Sequence, residues 1–146
     1  MVNSSDYAGD ISVAEAWTIL QREPKTQLID VRTQAEWTFV GLPDLTSLGR
    51  EVHCVEWQSF PQMTVNPDFA GVVAEKVRRA GADEGVPLLF LCRSGARSRA
   101  AAIAMTAAGF GHAYNVAGGF EGDLDETRQR GKRNGWKAGG LPWRQN

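Results

Sequence analysis

The sequence predicts an α/β domain with a mostly parallel sheet, on three observations. Apolar runs of strand length alternate with helical patterns, the alternation continues through the chain, and no repeat or linker divides the 146 residues. The clearest run is PLLFL at 87–91, nearly all apolar, as expected for a central parallel strand covered on both faces. This length holds one compact domain with a real core and does not comfortably hold two. The expected organisation is a single domain over 1–146, with 121–146 as a C-terminal helix and a Gly/Trp-containing tail packed on it.

The elements follow in order. Ser12-Val-Ala-Glu15 is a capping-box pattern, in which hydroxyl and carboxylate satisfy exposed amides at a helix start. Val13, Ala16, Trp17 and Leu20 share one face of that helix, which should stop before Pro24. QLIDV (27–31) reads as a short buried strand and EVHCVEW (51–57) as another. Asn66-Pro67 places an N-cap ahead of a proline at the first helical position, and the helix through FAGVVAEKVRRA ends at Gly81. After PLLFL, the alanine-rich SRAAAIAMTAAG (98–109) is helical and closed by Gly109. HAYNV (112–116) is a further strand, and EGDLDETRQRGKR is an amphipathic acidic-to-basic segment whose basic run, Arg128 to Arg133, reads as a solvated helix end.

Composition removes several classes. A formal net charge of −1 gives no support to nucleic-acid binding. The opening MVNSSDYAGDIS lacks the basic and apolar regions of a signal peptide, and VPLLFL falls far short of the roughly 20 residues of a membrane span. The expected compartment is the cytoplasm, with no membrane partner. Cys54 and Cys92 are the only cysteines, too few for a disulfide scaffold. No CxxC or HxxxH spacing exists, so neither a metal nor an organic cofactor is expected.

The chemistry concentrates at LFLCRSGARSRAAA (89–102). Cys92 ends the PLLFL strand, where open α/β sheets bind ligands, and is followed by Arg93, Arg97 and Arg99. From Val86 through Phe120 there is no Asp or Glu. The loop Cys92-Arg-Ser-Gly-Ala-Arg97 contains a glycine that lets amides turn inward; with the next helix's N-terminus they form a nest for negative charge. A buried structural cysteine is the bland alternative. The electropositive setting points instead to a reactive thiolate.

LIDVR with the following Glu36-Trp37, then CRSGARS, then NVAGGFEG, resembles the rhodanese domain, in order from about Ile11 to Phe120. The resemblance implies a central, mostly parallel five-stranded sheet flanked by helices, and a sulfurtransferase that carries sulfane sulfur as a cysteine persulfide. It makes Cys92 the nucleophile, lined by the amides of Arg93, Ser94, Gly95, Ala96, Arg97 and Ser98, and gives Asp30 a supporting role. Arg32, like Asp30, ends the first long strand; structural support is the simpler reading for both. One departure from the pattern is VGLPDL, which brings no histidine after Glu36-Trp37.

The implied partners are a small anionic sulfur donor such as thiosulfate and a thiol or cyanide acceptor, with a protein sulfur acceptor as an alternative. In that alternative the chain is a sulfur-relay module with little thiosulfate turnover. A cysteine phosphatase or arsenate reductase is the rival chemistry. Phosphatases of that kind hold a Cys-x5-Arg loop, whereas Arg97 here makes Cys-x4-Arg and Ser98 takes the required position. Cys54 reads as a small residue of its strand, with a resolving thiol as the alternative, and His112 as a loop residue. Trp17 and Trp37 fit core positions, and Trp136 and Trp143 are expected to anchor the tail by packing.

Overall fold

A computed structural model describes residues 6–59 and 62–145. The order is β1 (Gly9–Ile11), α1 (Val13–Arg22), β2 (Gln27–Asp30), α2 (Gln34–Phe39), β3 (Leu42–Pro43), β4 (His53–Cys54), β5 (Gln58–Ser59) and β6 (Thr64–Val65). It continues with α3 (Phe69–Arg79), β7 (Leu88–Leu91), α4 (Ala96–Ala107), β8 (Ala113–Val116), α5 (Gly135–Ala138) and β9 (Trp143–Arg144). Five strands form one parallel sheet in the order β1-β8-β7-β2-β4, so β7 is central, as its apolar run predicts. β3 and β9, and β5 and β6, pair as short antiparallel ribbons.

Both faces of the sheet are covered, and the alternation of side chains assigns them. Leu28, Leu89 and Leu91 meet Ala16 and Leu20 of α1 and Trp136 of α5. Ile29, Leu88 and Phe90 meet Val73 and Val77 of α3 and Ala101, Ala102 and Met105 of α4. Each fully buried Leu, Ile or Phe contributes about 1.5–3 kcal/mol. The small Ala101 and Ala102 let α4 lie close against the sheet behind Cys92.

The Ser12 capping box forms with both of its hydrogen bonds, and α1 stops at Arg22. Gly81 and Gly109, just past α3 and α4, take positive φ values of 96° and 102°, as helix-terminating glycines do. Other expectations need correction. The strand at 51–57 shortens to His53–Cys54, although Val55 and Trp57 still donate to the carbonyls of Asp30 and Val31. The third helix begins at Phe69 after an Asp68 cap, because Asn66 Oδ1 accepts from the Asp68 amide and spends the first turn on a bend. α4 begins at Ala96 rather than Ser98, since Gly95 at φ 127° turns the chain directly into the helix.

The larger correction concerns 121–134, which folds as turns with no helix. The Asp125 carboxylate accepts from the Thr127 amide and hydroxyl and from the Gln129 amide. Such local bonding competes with helix, so the basic run is no helix end, and only the single turn α5 is helical in this segment. Of the opening segment MVNSSDYAGDIS, residues 1–5 lie outside the described residues. No helix among the described residues is long and apolar enough to cross a membrane.

Candidate functional site

The loop after β7 turns at the carboxyl edge of the sheet, with Cys92 directly beyond Leu91 and only 1% exposed. Two backbone carbonyls of this loop are held from behind. Cys92 O accepts from the Phe120 amide at 2.8 Å, and Arg93 O accepts from the Glu121 and Gly122 amides at 3.1 and 3.0 Å. With those carbonyls drawn back, Gly95 N donates to Cys92 Sγ at 3.1 Å. The GGFEG stretch is thus the brace of the cysteine loop.

Behind the sulfur runs a polar chain. Ser98 Oγ, fully buried, lies 3.1 Å from Cys92 Sγ and 2.6 Å from Asn115 Oδ1. Asn115 Nδ2 donates to Asp10 Oδ1 at 3.0 Å, which fixes the amide with its oxygen toward Ser98. A hydroxyl has one proton, so by rotating about its C–O bond Ser98 donates to one of three acceptors in reach, Asn115 Oδ1, the sulfur or, at 3.2 Å, Gly95 O. Negative charge on the sulfur draws that proton toward it.

Electrostatics around the loop differ from the sequence reading in one respect. The span 86–120 is free of acids, but α2 brings Glu36 to Arg97 in a bidentate pair, Nη1–Oε1 2.6 Å and Nη2–Oε2 3.0 Å. Burial pushes the Glu36 carboxyl up, and Arg97, joined by the Thr33 amide and Arg32, outweighs it and holds the carboxyl below its ordinary 4.5. A carboxyl lowered by folding stabilises the native state above its unfolded value and loses that contribution as pH falls through the folded value. Denaturant titrations of wild type and Glu36→Gln should therefore differ by about 1 kcal/mol at neutral pH, and the difference should vanish on acidification below 4.5. An unchanged difference at acid pH would rule out this ion pair as its source.

Asp30 and Arg32 are both fully buried and do not enter the cleft. Arg32 Nη2 donates to Asp30 Oδ2 and to Gly41 O, each at 2.7 Å, and its guanidinium lies 4.2 Å from the Phe120 ring centroid. The pair ties the end of β2 to the bracing turn, a supporting position. Arg99 leaves the loop to stack on Tyr7, with Nε 3.3 Å from the Tyr7 hydroxyl. Burial, with the Asp30 carboxylate second, pushes the Cys54 thiol up to about 12, which favours the packing reading over a resolving thiol. His112 is an exposed turn residue.

Cys92 forms the floor of a cleft of about 580 Å³. Arg93, Ser94, Ala96 and Arg97 line it from the loop, joined by Glu36, Val40, Gln58, Met63, Glu121 and Arg130. Gly95 and Ser98 act from behind, through their hydrogen bonds to the sulfur. Trp136 is fully buried and edge-on to Trp17, Trp143 is 39% exposed and edge-on to Phe120, and neither ring lines the cleft. Trp17 packs against the core, whereas Trp37 is only half-buried. Among the described residues no three His, Cys, Asp or Glu side chains converge as metal ligands. Sequence reasoning missed the cleft roles of Glu36 and Arg130. For Glu36 a signal existed: Thr33-x-x-Glu36 is a capping box and does start α2.

Residues 8–146 match the family model described as STR4 middle domain. An uncharacterized protein of Rickettsia conorii is 33% identical over 134 residues, covering 92% of this chain and 95% of its own. The chloroplastic protein THYLAKOID RHODANESE-LIKE of Oryza sativa subsp. indica is 28% identical over 135 residues, 92% of this chain and 25% of that protein. The crystal structure of Rv0390 from M. tuberculosis superposes with a TM-score of 0.83 at 50% identity, covering 97% of this chain and 100% of that one.

Proposed function

This chain belongs to the rhodanese-like family, as an STR4 middle domain, and from that premise we propose that it is a sulfurtransferase working through a Cys92 persulfide. The observation that carries the reading is the sulfur itself: Cys92 Sγ lies on a cleft floor with one amide and one hydroxyl donor, each at 3.1 Å. Donors arranged around a single atom favour a thiolate and then a terminal persulfide sulfur.

In the first step the Cys92 thiolate attacks the outer sulfur of thiosulfate. A new S–S bond forms, the old one breaks, and sulfite leaves with the electron pair. In the second step cyanide or a thiolate attacks the outer persulfide sulfur, takes it as thiocyanate or a new persulfide, and restores the Cys92 thiolate. The kinetics are ping-pong. The amides of Arg93 to Ser98 line the persulfide pocket, and neither step calls for a metal or organic cofactor. A phosphatase reading is disfavoured, because Arg97's fork is filled by Glu36 and that carboxylate, held ionised, has no proton for a leaving group at neutral pH.

A protein acceptor is the second reading, favoured by apolar Met63 on the cleft wall, 37% exposed, beside Val40. The test is mass spectrometry of the intact protein and its peptides after thiosulfate treatment. A gain of one sulfur on the Cys92 peptide, removed by cyanide, is expected; a protein that gains none overturns the proposal. Sulfur loading with poor cyanide turnover would favour the protein acceptor.

A further inference from the structure

We infer that Arg130, brought into the Cys92 cleft by the Asp125-centred turn, seats the anionic end of the sulfur donor together with Arg93. The inference rests on the sulfurtransferase reading for the identity of the anion. Of the arginines that crowd the loop in sequence, two are committed elsewhere: Arg97 to Glu36 and Arg99 to Tyr7. Arg93 is exposed and lines the cleft. The remaining guanidinium on the cleft wall comes from 37 residues further along the chain (93 to 130).

Arg130 is held there by specific bonds. Its Nη1 donates to Gly122 O at 2.7 Å, and Gly122 N donates to Arg93 O at 3.0 Å, so Arg130 is fastened to the brace of the cysteine loop. Gly131 N donates to Glu121 O at 2.7 Å, closing the segment on itself. The Asp125 carboxylate organises the intervening residues through three bonds. Within the basic run 128–133, Arg130 alone among the described residues lines the Cys92 cleft; Lys132 and Arg133 line a separate depression with Asp125. Three arginines and two glutamates line the cleft. With Arg97 and Glu36 paired, Arg93 and Arg130 stand against Glu121 and the Cys92 thiolate, a formal balance of zero. Removing Arg130 leaves the cleft with a formal charge of −1, which repels an anion approaching the thiolate.

Paired alkylating reagents test this without sulfur chemistry. Rates of Cys92 modification by anionic iodoacetate and neutral iodoacetamide, read on the Cys92 peptide, give a ratio that reports anion seating. A merely structural change alters both rates together and leaves the ratio. Arg130→Gln should lower the iodoacetate-to-iodoacetamide ratio by about tenfold, the worth of a lost charged contact, and R130K should restore most of it. KM for thiosulfate should rise by a similar factor with kcat little changed. A ratio unchanged in Arg130→Gln overturns the inference, whether or not Cys92 loads sulfur. A ratio that falls in a protein that never loads sulfur from thiosulfate upholds the anion seat and removes the sulfur-donor reading instead.

Discussion

Cys92→Ser should abolish sulfur loading and lower thiosulfate:cyanide turnover by more than about 10³-fold, with the fold intact. Serine is nearly isosteric, and its oxygen can accept from the Gly95 amide and Ser98 hydroxyl that meet the sulfur. What it lacks is the chemistry: its hydroxyl stays protonated at neutral pH, and no S–S bond can form on oxygen. The second cysteine cannot replace the first. Cys54 is a half-buried thiol pushed up to about 12, first by burial, and it lines a depression with Leu42 and Asp44 outside the Cys92 cleft. Cys54→Ser should therefore keep both loading and turnover. Side-by-side thiosulfate:cyanide assays with peptide mass spectra decide the matter; a Cys92→Ser protein that still turns over would place the nucleophile elsewhere.

What was legible in the sequence follows a physical divide between local and distant contacts. β7 is an apolar run and β2 centres on Leu28-Ile29, and both are buried on both faces, so their own residues announce them. The cysteine loop is equally local: strand end, glycine turn and helix start lie within ten residues. β1 escaped notice because Gly9 and Asp10 are not apolar; the strand exists because its backbone pairs with β8. The Glu36–Arg97 pair spans 61 residues, so an acid-free stretch in sequence said nothing of acids in space. The segment 121–134 had helical charge patterning, yet Asp125 offers its amides closer partners than a helix would. Arg130 reached the cleft only because that competition was won by the turn.

Gly119→Ala should be a severely damaging single-methyl change, costing on the order of 3 kcal/mol or more and lowering Tm by roughly 6–12 °C. Gly119 has φ 66°, and a Cβ there would lie 2.5 Å from both Cys92 O and Arg93 O. These contacts are to backbone, which cannot swing aside as a side chain does. They are also the two carbonyls that Phe120, Glu121 and Gly122 hold in the loop that presents the Gly95 amide to the sulfur. Relief of the clash must therefore move the loop, and the Gly95 amide with it. Activity should fall further than stability explains: in protein kept well below its melting temperature, Cys92 sulfur loading should slow by about tenfold or more. Gly81→Ala is the matching control, with positive φ of 96° and open space around its Cβ position, at the end of α3 away from the cleft. It should lose stability through backbone strain alone and keep its loading rate. If Gly119→Ala loads sulfur as fast as Gly81→Ala, the bracing turn does not set the geometry of the cysteine loop.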